Sequence, residues 1–431
     1  MIKGQDSTIA RLQGAIQASP ENPQAHYDLA SAYLDGRPDH DPDSLYHASL
    51  EAREAIRLKP DYLEAHVFLG AVLILQGRCK EAVVCLNNAL AIDPDCREAH
   101  FHIGLAYLEM GMNEEALSKF RECRLMGLSD PRLHVSMGTA YARKCMYAEA
   151  IVELKQALSI QPSGVNARIQ LGMALAKAGM VADGIAELEK VLEKMPHMAT
   201  TRLNLAEIYL SQSRPADAIR EYGQVLGAEP RNLQAINGLG NALRQAGRID
   251  EAIREYRKAI DIDSRDYRAH YNLANAYVDK GMYERAIPEF RQAILLNPGD
   301  PAVHGHYGIL LMMSGNLYAA ALELREAIRL DPENCMTHIN MGVALLQGGR
   351  DAEAKAELDT AVRLNPSQPE AYYYLGFLAE RGNDPSRAID AYEKFLKHAG
   401  SGDRRSRTIR ARLAVLRNAR QDGGIGIRNA A

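Results

Sequence analysis

The sequence lacks the features of a secreted or membrane-spanning protein. Its 431 residues include only six cysteines, and none of these form a C-x-x-C pair, so we interpret them as free thiols in a reducing compartment. No apolar run approaches the length of a membrane span, and the N-terminal residues contain no apolar segment typical of a signal peptide. These absences predict a cytoplasmic protein with no membrane span.

The sequence also lacks an excess of one charge and any common catalytic motif. Its 51 basic and 55 acidic residues give a formal net charge of -4, which offers no general attraction to nucleic acid or anionic lipid. No G-x-x-x-x-G-K, H-E-x-x-H or G-x-S-x-G motif occurs. We therefore expect no enzyme activity, no cofactor, no bound metal and no nucleic-acid partner.

What the sequence contains is a repeat of 34 residues, clearest from Tyr267 to Asp300. Apolar residues at helical spacing predict two helices in each repeat. Gly281 stands where the first helix must end and the chain reverse, and Pro298 ends the second helix. The recurring residues of this repeat are Leu273, Ala274, Tyr277, Gly281, Ala286, Phe290, Ala293 and Pro298.

This pattern resembles the tetratricopeptide repeat (TPR) family, whose unit is a helix-turn-helix of the same length. A single helix pair cannot bury its own apolar face, so neighbouring repeats must stack. The resemblance implies an all-α fold, namely a right-handed superhelical solenoid of about eleven TPR helix-turn-helix repeats with capping helices.

The chain divides along this pattern. Residues 1–22 are predicted to form an N-terminal capping half-repeat, and residues 23–399 an array of eleven repeats whose first member carries a short insertion at 36–44. Residues 400–420 read as an arginine-rich capping helix, because most arginines lie away from its apolar stripe. A nucleic-acid or membrane contact of this helix is the alternative. Residues 421–431 are expected to be a disordered tail.

The resemblance implies a concave groove lined by the first helices, with partner-facing side chains at repeat positions 2, 5, 6, 9, 12 and 13, counted from Tyr267 as position 1. These positions are apolar in the N-terminal repeats and polar in the later ones, which indicates apolar anchoring of a partner followed by backbone hydrogen bonding. The candidate partner-binding residues are Phe68, Ala71, Leu75, Phe101, Leu105, Asn204, Asn237, Asn241, Arg244, Arg268, Asn272 and Asn275.

Two variants of the family can be compared with these positions. The chaperone-binding members clamp a C-terminal carboxylate with two asparagines and three cations. Asn241 and Asn272 match the asparagines, but Asn237, Ala302 and His306 replace the cations. The O-GlcNAc transferases line their superhelix with asparagine at position 6. Here Asn204, Asn272 and Asn340 match in every second repeat only, and the transferase catalytic domain is absent from this chain.

Two further patterns suggest a metal, and each has a simpler structural interpretation. Seven histidines share repeat position 4, which the family fills with a large packing residue: His26, His66, His100, His134, His270, His304 and His338. The insertion contains Asp39, Asp41 and Asp43, but it lacks the glycine and distal glutamate of a calcium loop, and Asp43 or Ser44 is expected to cap the following helix.

The sequence therefore predicts a non-catalytic scaffold or adaptor that binds a protein or peptide in its groove. Two alternatives stay open. One is a self-assembling structural TPR protein. The other is the targeting subunit of an enzyme such as a glycosyltransferase.

Overall fold

The computed structural model describes residues 2–35, 41–400 and 402–425, with side chains described within residues 7–418 of those ranges. The described residues form 24 α-helices and no strand. The predicted all-α class is confirmed. Among these residues, no helix is both long and apolar enough to cross a bilayer.

First and second helices alternate along the chain between α1 (Ile2–Ala18) and α24 (Arg405–Ile425). The first helices are α2 (Pro23–Leu34), α4 (Leu63–Leu75), α6 (Arg97–Glu109), α8 (Pro131–Arg143), α10 (Val165–Lys177), α12 (Ala199–Ser211), α14 (Leu233–Gln245), α16 (Tyr267–Asp279), α18 (Pro301–Met313), α20 (Cys335–Gln347) and α22 (Pro369–Arg381). The second helices are α3 (Pro42–Leu58), α5 (Cys79–Ile92), α7 (Asn113–Leu125), α9 (Tyr147–Ile160), α11 (Val181–Lys194), α13 (Pro215–Ala228), α15 (Ile249–Ile262), α17 (Tyr283–Leu296), α19 (Leu317–Leu330), α21 (Asp351–Leu364) and α23 (Pro385–His398).

The chain forms two compact units, Met1–Ile208 and Tyr209–Ala431, and their boundary falls within α12. In both units a first helix packs against the second helix of its own repeat, and that second helix packs against the next first helix. Consecutive first helices also contact one another, as α4 and α6 do in unit 1 and α14 and α16 in unit 2. Their outward sides therefore form one continuous surface in each unit, which we call the first-helix face.

Small and large residues alternate at the closest contacts within each helix pair. Ala286, in α17, is fully buried and lets α16 and α17 approach each other. Phe290, one turn later, is also fully buried and fills the space beside it. The predicted roles of the small and bulky repeat positions are thus confirmed in this repeat.

The turn after each first helix uses the left-handed backbone conformation. Gly281 has φ 73°, and the other glycines of this slot are similar. Cys145, Ser213 and Asn383 occupy the same slot and also adopt positive φ, at 59°, 54° and 56°. Because left-handed conformations are unfavourable for residues with a Cβ, the stacking of the helices imposes this turn whichever residue is present.

Two predictions about segments outside the regular repeat were wrong in detail. Asp41, and not Asp43 or Ser44, is the N-cap of α3, where its carboxylate accepts a hydrogen bond from the Ser44 backbone N–H at 2.9 Å. The rest of the insertion, residues 36–40 with Asp39, lies outside the described residues. Residues 421–425 continue α24 and are not disordered, while residues 426–431 are not described.

The arginine-rich helix α24 packs against α22 and α23 in unit 2. Ile409 and Leu413 are buried in a cluster with side chains of α22 and α23. Arg405, Arg412 and Arg417 form ion pairs with glutamates of the same two helices, with N–O distances of 2.7, 2.5 and 2.6 Å. The capping role of this helix stays a prediction.

Candidate partner-binding surface

A cleft of about 440 Å³ lies on the first-helix face of unit 2. Asn241 and Arg244 of α14 and Asp279 of α16 line it, with Leu210 and Gln245 at its edge. Arg244 and Asp279 join the two helices through an ion pair of 3.0 Å. The structure therefore brings Asn241 and Arg244, both predicted to be site residues, into one cleft.

Internal hydrogen bonds orient two of the predicted amide side chains. The hydroxyl of Tyr256 donates to Asn241 Oδ1 at 2.6 Å, which leaves the Asn241 Nδ2 group as a donor. Asn275 Nδ2 donates to the backbone oxygen of Tyr271 at 2.9 Å, which leaves its Oδ1 as an acceptor. Asn272 makes no side-chain hydrogen bond with any other described residue, so its donor and acceptor are both available. The first-helix face of unit 2 thus presents hydrogen-bond donors and acceptors, and internal hydrogen bonds orient two of the three amides.

The side chain of Asn237 forms a hydrogen bond within the protein. Its Nδ2 donates to Asp266 Oδ2 at 2.7 Å, across to the start of the next first helix. Asp266 is also the N-cap of α16 and accepts from the Arg268 backbone N–H at 3.0 Å. Asn237 Oδ1 is buried without a hydrogen-bond partner among the described residues. Asn237 therefore stabilises the contact between two neighbouring repeats and is less available to a partner. The Arg268 side chain, in contrast, is exposed.

The interruption of the position-6 asparagine row has a packing cause in α14. Gly238 occupies that position, and a Cβ built there would lie 2.4 Å from ring atoms of Tyr222, in the preceding second helix. Tyr222 is only 3% exposed and fills the space that an asparagine would need. In this repeat the close approach of the ring requires glycine.

His306 replaces asparagine at the same position in α18 and pairs with Tyr271 of α16. The two rings are stacked with centroids 5.6 Å apart, and the Tyr271 hydroxyl lies 2.6 Å from His306 Nδ1. Burial lowers the pKa of His306, so the neutral imidazole is favoured and can accept the hydroxyl proton in a hydrogen bond. Sequence reasoning missed Tyr271 as a site residue, although its place at repeat position 5 was a usable signal.

The apolar candidates of unit 1 differ in exposure. Leu75 is 52% exposed, while Phe68, Ala71 and Leu105 are half-buried. Phe101 is only 7% exposed, because it packs on Phe120 with ring centroids 5.9 Å apart. The expectation that Phe101 presents an exposed ring is therefore wrong. Asn204, the remaining candidate, is half-buried in α12 within unit 1.

The position-4 histidines are buried packing residues, as predicted, and they also join neighbouring repeats. His304 is typical, since its Nδ1 lies 2.7 Å from Glu323 Oε2 and its Nε2 lies 3.2 Å from the backbone oxygen of Pro298. The Glu323 carboxylate is the main cause of the raised pKa of His304. His26, His270 and His338 have the same two kinds of partner.

His66 shows how one substitution changes this arrangement. Its Nε2 lies 2.9 Å from the backbone oxygen of Pro60, but Cys85 stands where other repeats have the glutamate. The Cys85 sulfur lies 3.7 Å from His66 Nδ1, and burial raises the pKa of this thiol to about 11. The thiol is therefore protonated at neutral pH, so this repeat places an uncharged group where the others have a glutamate.

Comparison with known families agrees with this architecture. Three TPR family models match the chain, one described as TPR repeat at residues 70–111 and 240–281, and two described as tetratricopeptide repeat at residues 175–239 and 209–256 and at 271–334 and 339–404. The matches together cover more than half of the sequence. The chain belongs to the tetratricopeptide repeat family, which confirms the resemblance.

Among similar solved structures, yeast Tom70 shows the same fold. The crystal structure of yeast Tom70 is 16% identical in sequence with a TM-score of 0.51, and the match covers 97% of this chain and 93% of that one. The APC/C hetero-tetramer Cut9-Hcn1 is 15% identical with a TM-score of 0.49, covering 95% and 93%. No curated protein matches the chain in sequence. At such identities the similarity to Tom70 concerns the fold alone.

Proposed function

We propose that the protein is a non-catalytic scaffold or adaptor that captures an extended peptide segment of a partner protein along its first-helix face. Membership of the tetratricopeptide repeat family supports the general role, because its repeats characteristically bind protein partners. The main observation in support of peptide binding is the arrangement of side-chain amides in unit 2. Asn241, which lines the cleft of about 440 Å³, offers a donor. On the next first helix, Asn275 offers an acceptor and Asn272 offers both.

This set of groups suits the backbone of a peptide. An extended chain presents N–H and C=O groups in alternation, and side-chain amides can bind both kinds regardless of the peptide sequence. The Arg244–Asp279 ion pair beside Asn241 adds one fixed group of each charge. In unit 1, Leu75 and the half-buried Phe68 supply apolar contacts for side chains of the partner.

Affinity co-purification from the native source tests the proposal. Wild type is compared with Asn241→Ala/Asn272→Ala and with Leu75→Asp. Leu75 is chosen because it is exposed, whereas Phe101 is buried. Asn87→Ala/Asn88→Ala is the matched control, because both asparagines are exposed on the second helix α5. We expect a partner that wild type and the control retain and that the Asn241/Asn272 variant loses. Equal recovery by all variants would contradict groove binding.

The same experiment addresses the alternatives. Recovery of nothing but further copies of this chain, with light scattering that rises with concentration, would favour the self-assembling structural protein. Recovery of an enzyme that is lost with the Asn241/Asn272 variant would give the adaptor a targeting role. We retain the cytoplasmic location as a proposal that rests on the six unpaired thiols.

A further inference from the structure

A second pocket, of about 270 Å³, lies on the first-helix face of unit 1 between α2, α4 and α6. Its apolar lining comes from Tyr27, Leu63, Val67 and Phe68, together with the buried Cys96. The first four side chains are half-buried, so part of their surface is exposed. The volume is suited to one large side chain of a partner.

Aromatic rings form one wall of this pocket. Tyr27 meets Phe68 edge to face with ring centroids 5.8 Å apart, and meets Tyr62 at 5.3 Å. The faces of such rings carry a partial negative charge that attracts cations. Tyr62 makes such a cation–π contact, because the Lys59 ammonium lies 4.8 Å from its ring centroid. The cluster is therefore a site where a cation finds favourable contacts.

Acidic side chains surround the same pocket. Glu64 and Glu98 line it from equivalent positions of consecutive repeats, and both are exposed. Neither forms an ion pair with another described residue. Asp28 lies beside Tyr27 and, among the described residues, accepts a side-chain hydrogen bond only from the neutral Gln24, at 2.8 Å. Burial raises the pKa of Tyr27, and the charges of Glu64 and Asp28 raise it further.

Arg132 does not neutralise this charge. Arg132, which lies in the following first helix, feels the charge of Glu98 but is bound to Asp130 at 2.6 Å and lies 5.8 Å over the Phe101 ring. The pocket thus combines an aromatic wall with two glutamates that form no ion pair with any described residue. A neutral or acidic side chain would gain from the apolar lining alone, whereas a basic one gains from all three features.

We propose that this pocket receives a lysine or arginine side chain of the partner peptide, with its aliphatic part against Tyr27 and Phe68 and its charged end between Glu64 and Glu98. The inference rests on the proposed function and specifies the partner as a basic segment. An adjacent apolar residue of the peptide would lie toward Leu75. The acids act both by attraction at the site and by steering the approach of a basic chain.

Fluorescence anisotropy with defined peptides tests the inference on the full-length protein. The probe is a labelled ten-residue peptide in which lysine alternates with leucine, compared with peptides in which glutamine or glutamate replaces every lysine. We expect the lysine peptide to bind at least about tenfold more tightly than the glutamine peptide at low salt, and to lose most of this advantage at about 0.3 M salt.

Variants locate the binding. Glu64→Gln/Glu98→Gln should weaken the lysine peptide about tenfold and leave the glutamine peptide unchanged. Glu115→Gln/Glu149→Gln is the matched control, since it removes the same charge from exposed, unpaired glutamates of the second helices α7 and α9. Phe68→Leu keeps apolar contact and removes one ring, so it should weaken the lysine peptide more than the glutamine peptide. Circular dichroism checks that each variant is folded.

Several outcomes would overturn the inference. These are equal binding of the lysine and glutamine peptides, no binding of any peptide, or equal losses in the pocket variant and its control. Retention of the native partner by the Glu64/Glu98 variant, with its loss in the Asn241/Asn272 variant, would leave the proposed function standing and remove the basic-segment inference alone. Oligomers that dissociate only in the Glu64/Glu98 variant would assign the pocket to a second copy instead.

Discussion

Replacing Gly238 with alanine tests the packing that interrupts the asparagine row. The new Cβ would lie 2.4 Å from two ring carbons of Tyr222, whereas carbon atoms in contact prefer about 3.5 to 4.0 Å. Tyr222 is 3% exposed, so its ring cannot move without disturbing its neighbours. Overpacking of this kind costs about 1 to 3 kcal/mol. Removing a glycine from a helix interior returns about 0.5 to 1 kcal/mol, which leaves a net destabilisation of up to about 2.5 kcal/mol.

Gly223→Ala is the matched control for this change. Gly223 lies within α13 of the same unit and is exposed, and a Cβ built there has no atom within 4 Å. This substitution should stabilise the protein by about 0.5 to 1 kcal/mol, because only the helix propensity changes. Urea unfolding followed by circular dichroism measures both variants, and equal slopes would show that the midpoints report stability.

A double-mutant cycle assigns the cost to Tyr222. With Tyr222→Leu in the background, Gly238→Ala should lose most of its destabilising effect, because the ring that it meets is gone. If Gly238→Ala stabilises the otherwise unchanged protein as much as Gly223→Ala does, the packing of Tyr222 against Gly238 is refuted. By the same argument, Gly238→Asn should destabilise the protein and fail to extend the asparagine row.

Three further predictions follow from buried groups. The Glu323 carboxylate raises the pKa of His304 above its unfolded-chain value of 6.5. Protonated His304 therefore contributes its full stabilisation below pH 6.5, and this contribution is lost as pH rises through the pKa of the folded state. The stability deficit of His304→Gln should therefore be larger at mildly acidic than at alkaline pH, and a deficit independent of pH would refute the pairing. Burial lowers the pKa of His102 from 6.5 to about 4, so the unfolded chain takes up a proton first as pH falls. Between pH 6.5 and about 4, the free energy of unfolding of wild type should therefore fall by up to about 1.4 kcal/mol per pH unit relative to that of His102→Leu. Urea unfolding at several pH values measures both proteins, and an equal dependence of their stability on pH would contradict this. Ile409→Ala, at a 2% exposed position of the capping helix, should cost about 2 to 5 kcal/mol locally. Faster amide hydrogen exchange in α22 to α24 with α14 unchanged would report it, and unchanged exchange throughout would show that α24 does not cap the unit.

The repeat architecture and its turns could be predicted from the sequence because their causes are local. Apolar spacing identifies helices, and proline ends them. The turn slot was recognisable from Gly281, whose φ is 73°, and the unchanged repeat length placed Cys145 in the same slot at φ 59°. The histidine row was also correctly assigned to packing, because the same repeat position is buried in all seven repeats that carry a histidine there.

The candidate site was predicted only as a set of positions. The orientation of Asn241 depends on Tyr256 in the following second helix, and the absence of an asparagine at Gly238 depends on Tyr222 in the preceding one. The burial of Phe101 similarly depends on Phe120. Repeat position specifies which face a residue occupies, but its depth below the surface depends on side chains of neighbouring helices.

The sequence by itself therefore determined the family, the helical repeat and the face on which partner contacts are expected. Only the tertiary structure decided which of those side chains are exposed, which are already hydrogen-bonded and which acids gather around one pocket. The physical reason is the range of the interactions. Helix and turn formation depend on residues within one repeat, whereas the pocket beside Glu64 and Glu98 is assembled from three first helices that meet only when the repeats stack.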